Sequence, residues 1–278
     1  GPCGQVHGPA RGHAAKAVSI ARFPFWRCAP EGGEGRYVFP VTRPATVGPP
    51  EHPHVMGGAA LAATINALEQ DSGQPILWAN TQFLSPTQGV EELIIQCEPV
   101  GGGRSVSQWA AIAFAGERPV HRVNAALGAR PGDSDTQFAQ MPDVPGPADG
   151  EAKPSDPNGY DDNLVGQLER RTALEDNVRG YEAVWSRSAA GFANDAGWLA
   201  MVSDFFLGAH PRTRGGSSLD ATFRFIRAAE PGWILSVTEF AAFDRGVVHG
   251  SARHFAEDGT LLAISSQTGV LPHRPFTR

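Results

Sequence analysis

The sequence predicts an α+β fold in which two similar units share one continuous antiparallel sheet, with two helices on its concave face. The main observation is an internal repeat: Phe83 and Phe225 lie 142 residues apart in similar strand-like runs, and Phe114-Ala115 and Phe255-Ala256 lie 141 residues apart. Each half also contains a helical run followed by four strand-like runs. Self-similarity at a fixed period indicates duplication, and two units that each leave a sheet edge unpaired are expected to pair those edges.

Composition restricts the class of protein. The chain has 278 residues, is 41% hydrophobic and carries a net charge of −6, which suits one large domain or two small ones with buried cores. Its arginines form neither a basic stripe nor a polybasic arm, so neither a nucleic acid nor a membrane partner is expected. Cys3, Cys28 and Cys97 are far apart and form no C-x-x-C motif, which favours a reduced, cytoplasmic setting.

The first unit is predicted to span residues 18–128. Residues 1–17 have no structural periodicity, and Gly1-Pro2 is typical of a cleaved purification tag, so this segment is left out of the fold prediction. A strand is expected at 36–41 and a buried, alanine-rich helix at 54–68. Further strand-like runs, bounded by Gly, Pro and Ser turns, lie at 74–84, 90–98, 105–115 and 119–127.

Residues 129–160 are rich in Pro, Gly, Asp and Ser and are predicted to be a linker. The second unit, 161–278, repeats the order of the first. A strand-like run at 178–188 precedes a helical run at 196–207. Four strand-like runs complete the unit, at 217–226, 233–243, 246–256 and 261–271.

Asp204 is the main candidate for a catalytic residue. It lies near the centre of the apolar run 198–207, and a buried carboxylate costs several kcal/mol unless it is hydrogen-bonded or used in chemistry. Gln267 lies on the last predicted strand, which could run beside the second helix. The two side chains are therefore expected to lie close together.

The start of the first helix is the candidate substrate-binding site. Gly57 and Gly58 have no side chains to block access to backbone N–H groups, and a helix N-terminus favours negative charge, so this turn could stabilise an oxyanion. His54 lies just before it and joins these substrate-binding candidates. His52 and His54 lack a third ligand at standard spacing, so no metal is expected, and no cofactor is expected either.

A series of short motifs occurs in both halves in a characteristic order. They are Gly57-Gly58, Phe83-Leu-Ser-Pro86, Gly103-Arg104-Ser105, Ser203-Asp204, Ser218-Leu219-Asp220, Arg245-Gly246, His249-Gly250, Asp258-Gly259 and Gln267-x-Gly269. In order and spacing, over roughly residues 36–271, the chain resembles the double-hotdog acyl-CoA thioesterases of the thioesterase II family. The resemblance implies two tandem hotdog units that form a single sheet.

The resemblance also implies a reaction, the hydrolysis of an acyl-CoA or related acyl thioester. In that family an Asp on the second helix, a Ser or Thr on a neighbouring strand and a Gln on the last strand activate the attacking water. Asp204 and Gln267 match the first and last of these. The hydroxyl falls near residues 240–241, where Thr238 is the closest candidate. Thr268 and Ala221 depart from the family, which commonly has Glu and His there.

Three other functions stay open. The same pocket could hydrolyse short oxygen esters, although a serine carboxylesterase is disfavoured because the chain has no G-x-S-x-G motif. A hydratase would need an Asp and a His close together, and His210 is poorly aligned with Asp204 on a helix. A non-catalytic protein could keep the fold to bind acyl ligands. The expected partner is a small acyl thioester or ester, and a homo-oligomer is possible.

Overall fold

The computed structural model describes residues 20–130, 132, 135–153 and 160–272, so the predicted irregular segment 1–17 lies outside the described residues. The helices are α1, Gly57–Ser72, and α2, Ala196–Ser203. The strands of the first half are β1, Ala29–Pro30; β2, Arg36–Pro40; β3, Thr46–Val47; β4, His54–Val55; β5, Ile76–Phe83; β6, Glu92–Gly102; β7, Val106–Ala115; and β8, Arg118–Gly128. Those that follow are β9, Glu151–Ala152; β10, Leu168–Asp176; β11, Tyr181–Ser188; β12, Ser217–Phe225; β13, Ile234–Asp244; β14, Val247–Ala256; and β15, Leu261–Val270.

Within the described residues, thirteen strands form one antiparallel sheet, while β3 and β4 pair separately. The strand order is β1-β2-β6-β7-β8-β5-β12-β15-β14-β13-β11-β10-β9. The halves meet where β5 pairs with β12, and there Asn80 Nδ2 donates a hydrogen bond to Thr222 Oγ1 at 2.8 Å. This continuous sheet with two helices confirms the predicted double-hotdog fold.

The two helices differ in length because they end differently. α1 runs for 16 residues and ends at Gly73, whose φ of 65° gives the left-handed cap that glycine adopts without strain. α2 is capped at its N-terminus by Asp195, whose side chain accepts a hydrogen bond from Trp198 N, and it lasts only eight residues. The chain then tightens into a 3₁₀ helix, Asp204–Ala209. The predicted helix 196–207 is therefore two segments that meet at Asp204.

Both helices belong to a single large core. Ten of the sixteen residues of α1 and all eight of α2 are buried, and the helices contact each other and the strands of their own halves. A second cluster on the other face of the sheet includes Trp185, Leu235, Val237 and Phe255. Residues 139–144, within the predicted linker, pack against this cluster. Helices on one face and a covering segment on the other thus bury both faces of the second half.

A cluster of aromatic rings covers the start of α2. The Trp26 ring lies within 5.8 Å of the Trp198 ring and 5.4 Å of the Phe192 ring, centroid to centroid. A Cβ on Gly197 would fall 2.2 Å from Trp26 Nε1, so the first turn of α2 lies directly beneath this indole. In the described part of the chain, no helix has the length and apolar character needed to cross a membrane.

Candidate active site

Asp204 lies where the C-terminal end of α2 meets the N-terminus of α1. Its Oδ2 accepts a hydrogen bond of 2.6 Å from the backbone N–H of Gly58. This contact joins the two halves, because Gly58 belongs to the first helix and Asp204 follows the second. The carboxylate also occupies the position that the α1 dipole favours for negative charge. The Asp204 carboxylate, which lies within an apolar run of the sequence, therefore has a hydrogen-bond partner on the other helix.

Gln267 on β15 completes the contacts of the Asp204 carboxylate. Its Nε2 donates to Asp204 Oδ1 at 2.9 Å and to Ser218 Oγ, on β12, at 2.6 Å. Since an ionised carboxylate only accepts hydrogen bonds, the amide must turn its nitrogen toward Asp204. The amide oxygen of Gln267 and the hydroxyl proton of Ser218 are then left for another molecule.

Burial raises the pKa of Asp204 to about 6, although the hydrogen bonds from Gly58 and Gln267 act in the opposite direction. Loss of hydration disfavours the charged form of a carboxyl group, and that effect is the larger one here. A carboxylate with a pKa near neutrality can take a proton from water and later return it. The site therefore has the electrostatic character of a general base.

Glycine is required at the start of α1 because the two helices approach so closely there. A Cβ on Gly58 would lie 2.7 Å from Asp204 Cβ and 2.8 Å from Met201 O, and one on Gly57 would lie 2.8 Å from the Phe83 ring. Gly58 donates its N–H to Asp204. The N–H of Gly57 makes no hydrogen bond to any residue that the structure describes. Gly57 therefore packs closely against Phe83 and still has a backbone N–H that could donate to a ligand.

Thr238 is not part of this cluster. It lies on β13, two strands away from β15, opposite Ala252 and Glu182. Its side chain is buried and lines a small cavity beside the C-terminal end of α2. The hydroxyl that contacts Gln267 is that of Ser218, which belongs to the Ser218-Leu219-Asp220 motif but was not predicted as a site residue. A β-bulge between Ser218 and Asp220, where Asp220 Oδ1 accepts from Thr268 N at 3.0 Å, sets the local register.

The histidines considered from the sequence lie outside the hydrogen-bonded cluster. His54 is exposed on β4, and its imidazole packs near Gly48. His210 is buried: its Nδ1 accepts from Arg212 N, and its Nε2 lies 3.1 Å from Asn177 O. The close Asp–His pair expected of a hydratase is therefore not formed by Asp204 and His210. Among the described residues no group of three or more His, Cys, Asp or Glu side chains could hold a metal ion.

Comparison with known families and structures agrees with this architecture. The acyl-CoA thioesterase N-terminal domain matches residues 47–128, and the acyl-CoA thioesterase C-terminal domain matches residues 140–271. A solved structure of a protein classed as a thioesterase, from Novosphingobium aromaticivorans, is 30% identical, with a TM-score of 0.81 over 88% of this chain and 98% of that one. The chain belongs to the double-hotdog family of acyl-CoA thioesterase II-like proteins.

Two more distant structures share the fold. An acyl-CoA thioesterase II from Mycobacterium marinum is 17% identical, with a TM-score of 0.74 over 91% of this chain and 99% of that one. A hotdog-fold protein of unknown function from Alicyclobacillus acidocaldarius is 20% identical, with a TM-score of 0.76 over 93% and 100% of the two chains. No curated protein matched. Membership of this family makes the protein an acyl-CoA thioesterase-type hydrolase.

Proposed function

We propose that the protein hydrolyses acyl-CoA or related acyl thioesters by direct attack of a water molecule that Asp204 activates. The observation that carries this proposal is the hydrogen-bonded cluster of Asp204, Gln267 and Ser218 at the N-terminus of α1. The water would donate one proton toward Asp204 and the other to the amide oxygen of Gln267. The Ser218 hydroxyl would donate to the water oxygen and so fix its orientation.

In the chemical step, Asp204 takes a proton as the water oxygen bonds to the thioester carbonyl carbon. The carbonyl π electrons move to oxygen, and the Gly57 N–H stabilises the resulting oxyanion at the positive end of α1. When the carbonyl re-forms, the carbon–sulfur bond breaks and the thiolate accepts the proton from Asp204. The products are a carboxylic acid and a free thiol, and the enzyme returns to its starting state.

The chemistry of the other side chains favours water over a covalent nucleophile. Burial raises the pKa of both the Cys28 and Cys97 thiols to about 12, so neither is a thiolate near neutral pH. Ser218 contacts an amide rather than a histidine or lysine base, which leaves its hydroxyl without the activation that a nucleophilic serine needs. Asp204 is thus the base and water the nucleophile.

The test is thiol release from a panel of acyl-CoA substrates by the wild type and three variants. Asp204→Asn should lower kcat about 10²- to 10⁴-fold, the usual contribution of a general base. Ser218→Ala should lower it about tenfold, since it removes one hydrogen bond to the water. Asp220→Asn is the matched control, because Asp220 is on the same strand as Ser218 and contacts the Thr268 backbone.

The control should keep near wild-type kcat. Full thioesterase activity in Asp204→Asn would refute the assignment of the base. Aryl esters with the same acyl groups separate thioester from oxygen-ester preference. Turnover of the aryl esters without turnover of any acyl-CoA would replace the proposed substrate with an oxygen ester.

A further inference from the structure

Leu207, in the 3₁₀ helix 204–209, packs directly on Gly269 of β15. A Cβ on Gly269 would lie 2.7 Å from Leu207 Cδ2, with Val248 Cγ1 next at 3.2 Å. Ordinary contacts between carbon atoms are about 3.5 to 4.0 Å long. Gly269 does not have the positive φ that favours glycine for backbone reasons. This position therefore depends on glycine because the Leu207 side chain occupies the space above it.

The contact between Leu207 and Gly269 lies beside the contact between Asp204 and Gln267. Gln267 and Gly269 lie on the same face of β15, because alternate residues of a strand point to the same side. Asp204 and Leu207 are three residues apart, one full turn of a 3₁₀ helix, so they too point to one side. The spacings also match, since two strand residues span about 6.7 Å and one 3₁₀ turn rises about 6 Å.

A continued α-helix would not make both contacts. With 3.6 residues per turn, Leu207 would be rotated by about 60° from Asp204, and three residues would rise only about 4.5 Å. The chain tightens at Asp204, whose N–H is shared between Met201 O and Val202 O, a bifurcated arrangement common at helix ends. The change from α to 3₁₀ geometry at this residue thus aligns the acid with the amide and the leucine with the glycine.

Other contacts hold the 3₁₀ helix against the same strands. Thr213 is fully buried, and its Oγ1 donates a hydrogen bond of 2.6 Å to Leu207 O. The Phe206 ring packs over Gly250, where a Cβ would lie 2.7 Å from Phe206 Cε2. Gly250 is the β14 residue opposite Gln267. The segment that begins with Asp204 is therefore packed on β15, which carries Gln267, and on the strand that pairs with it.

We infer that Leu207 and Gly269 are positioning residues for the proposed reaction, because their contact sets how far the Asp204 carboxylate lies from the Gln267 amide. This inference rests on the proposed function of Asp204 as the general base. Asp204 Oδ1 and Gln267 Nε2 are 2.9 Å apart, so a separation greater by about 1 Å exceeds hydrogen-bonding distance. A methyl group on Gly269 would have to displace Leu207 by about 1 Å to reach an ordinary contact.

The experiment measures kcat and KM for acyl-CoA hydrolysis in Gly269→Ala and in the same variant with Leu207→Val added. Gly269→Ala should lower kcat about 10- to 100-fold and leave KM within about twofold, since a misplacement of about 1 Å can cost that much. Leu207→Val removes one methylene where Gly269→Ala adds one methyl group, so the double variant should regain most of the lost kcat. Ala263→Val is the matched control, because it crowds the same face of β15 further from Gln267, and it should keep near wild-type kcat.

A second background separates positioning from general damage. In Asp204→Asn the base is already absent, so adding Gly269→Ala should change the residual kcat by less than about twofold. Leu207→Ala only truncates a side chain and replaces Gly269→Ala where that variant does not fold; it should lower kcat about tenfold in the wild type and not in Asp204→Asn. Wild-type kcat in either variant, a loss that Leu207→Val does not restore, or an equal loss in Asp204→Asn or Ala263→Val would overturn the inference.

Titration of the Asp204 carboxyl separates this failure from failure of the proposed function. Burial raises the pKa of Asp204 to about 6, and the hydrogen bonds from Gly58 and Gln267 lower it, so a change in these contacts alters the pKa. Carbon-13 NMR of labelled aspartate, assigned with Asp204→Asn, measures this pKa even if the wild type hydrolyses no acyl-CoA. A pKa that departs from the wild-type value in Gly269→Ala and returns with Leu207→Val supports the inference. The wild-type pKa in Gly269→Ala, or a departure that Leu207→Val leaves in place, overturns it.

Discussion

The wild type should lose stability as pH rises through the titration of Asp204, and the replacement Asp204→Asn should abolish that loss. Asn keeps the size of the side chain, and a flipped Gln267 amide can accept from its Nδ2 while Gly58 donates to its Oδ1. The substitution thus removes the charge while keeping the hydrogen bonds. Burial raises the pKa of Asp204 to about 6 in the folded state, against a reference of 3.8. The folded state therefore holds this proton more tightly than the unfolded state.

The sign and size follow from proton linkage. Between about pH 4 and 6 the unfolded chain binds fewer protons at this site, so the wild type loses stability as pH rises through that window. The full loss is about 3 kcal/mol, of which about 1.4 kcal/mol falls between pH 5 and 7.5. Because Asp204 keeps some contact with solvent, these are upper values. Asp204→Asn has no such loss.

Equilibrium urea unfolding, followed by tryptophan fluorescence, measures both proteins at pH 5 and pH 7.5. The stability of Asp204→Asn relative to the wild type should be greater at pH 7.5 than at pH 5, by up to about 1.4 kcal/mol. Other titrating groups are common to the two proteins and cancel in this difference. An equal difference at both pH values would show that the carboxylate is not desolvated, and the proposed base would lose its physical basis.

Other expected outcomes concern catalysis, packing and acid stability. The value of kcat/KM should rise about tenfold per pH unit below pH 6 and level off above about pH 7, as the Asp204 base ionises; a flat profile from pH 5 to 7 contradicts this. Gly58→Ala should cost about 1–3 kcal/mol in urea unfolding, because its Cβ would overlap Asp204 and Met201; wild-type stability would show that the helices can separate there. Burial lowers the pKa of His254 to about 4, so the fold loses stability as pH falls from about 6.5 toward 4, and His254→Gln should weaken that loss in acid titrations followed by circular dichroism. The same acid midpoint in both proteins would contradict a buried neutral imidazole.

The fold could be predicted from the sequence because its signals are long and repeated. Runs such as 105–115 and 246–256 alternate or cluster apolar residues between Gly turns, and their spacing by about 141 residues reports the duplication. β10 was not predicted, since LERRTALED carries five charged residues and lies toward the end of the sheet, where it needs no apolar alternation. The end of α2 was misplaced because the residues after Asp204 are as apolar as those before it.

The candidate site could be predicted in part. Asp204 is recognisable as the carboxylate inside an apolar run, and Gln267 as its amide partner on the closing strand; the structure places them 2.9 Å apart, Nε2 to Oδ1. Ser218 was missed because its position depends on the pairing of β12 with β15 and on a bulge beside Asp220. Neither feature has a local sequence signal. The sequence spacing instead indicated Thr238 as the closest hydroxyl, but Thr238 lies on β13, which is separated from β15 by β14.

The Trp26 indole that covers the first turn of α2 bears on how many inhibitor molecules each polypeptide should bind. The repeat spacing sets Asp204 against Ala62 or Ala63 of α1, both of which are buried alanines. The turn of α2 that corresponds to the glycine pair of α1 is closed by Trp26. If the proposed reaction centre at Asp204 is correct, its pseudo-symmetric counterpart has alanine in place of the acid among the described residues. A tight-binding inhibitor should therefore saturate the enzyme at a single equivalent per polypeptide.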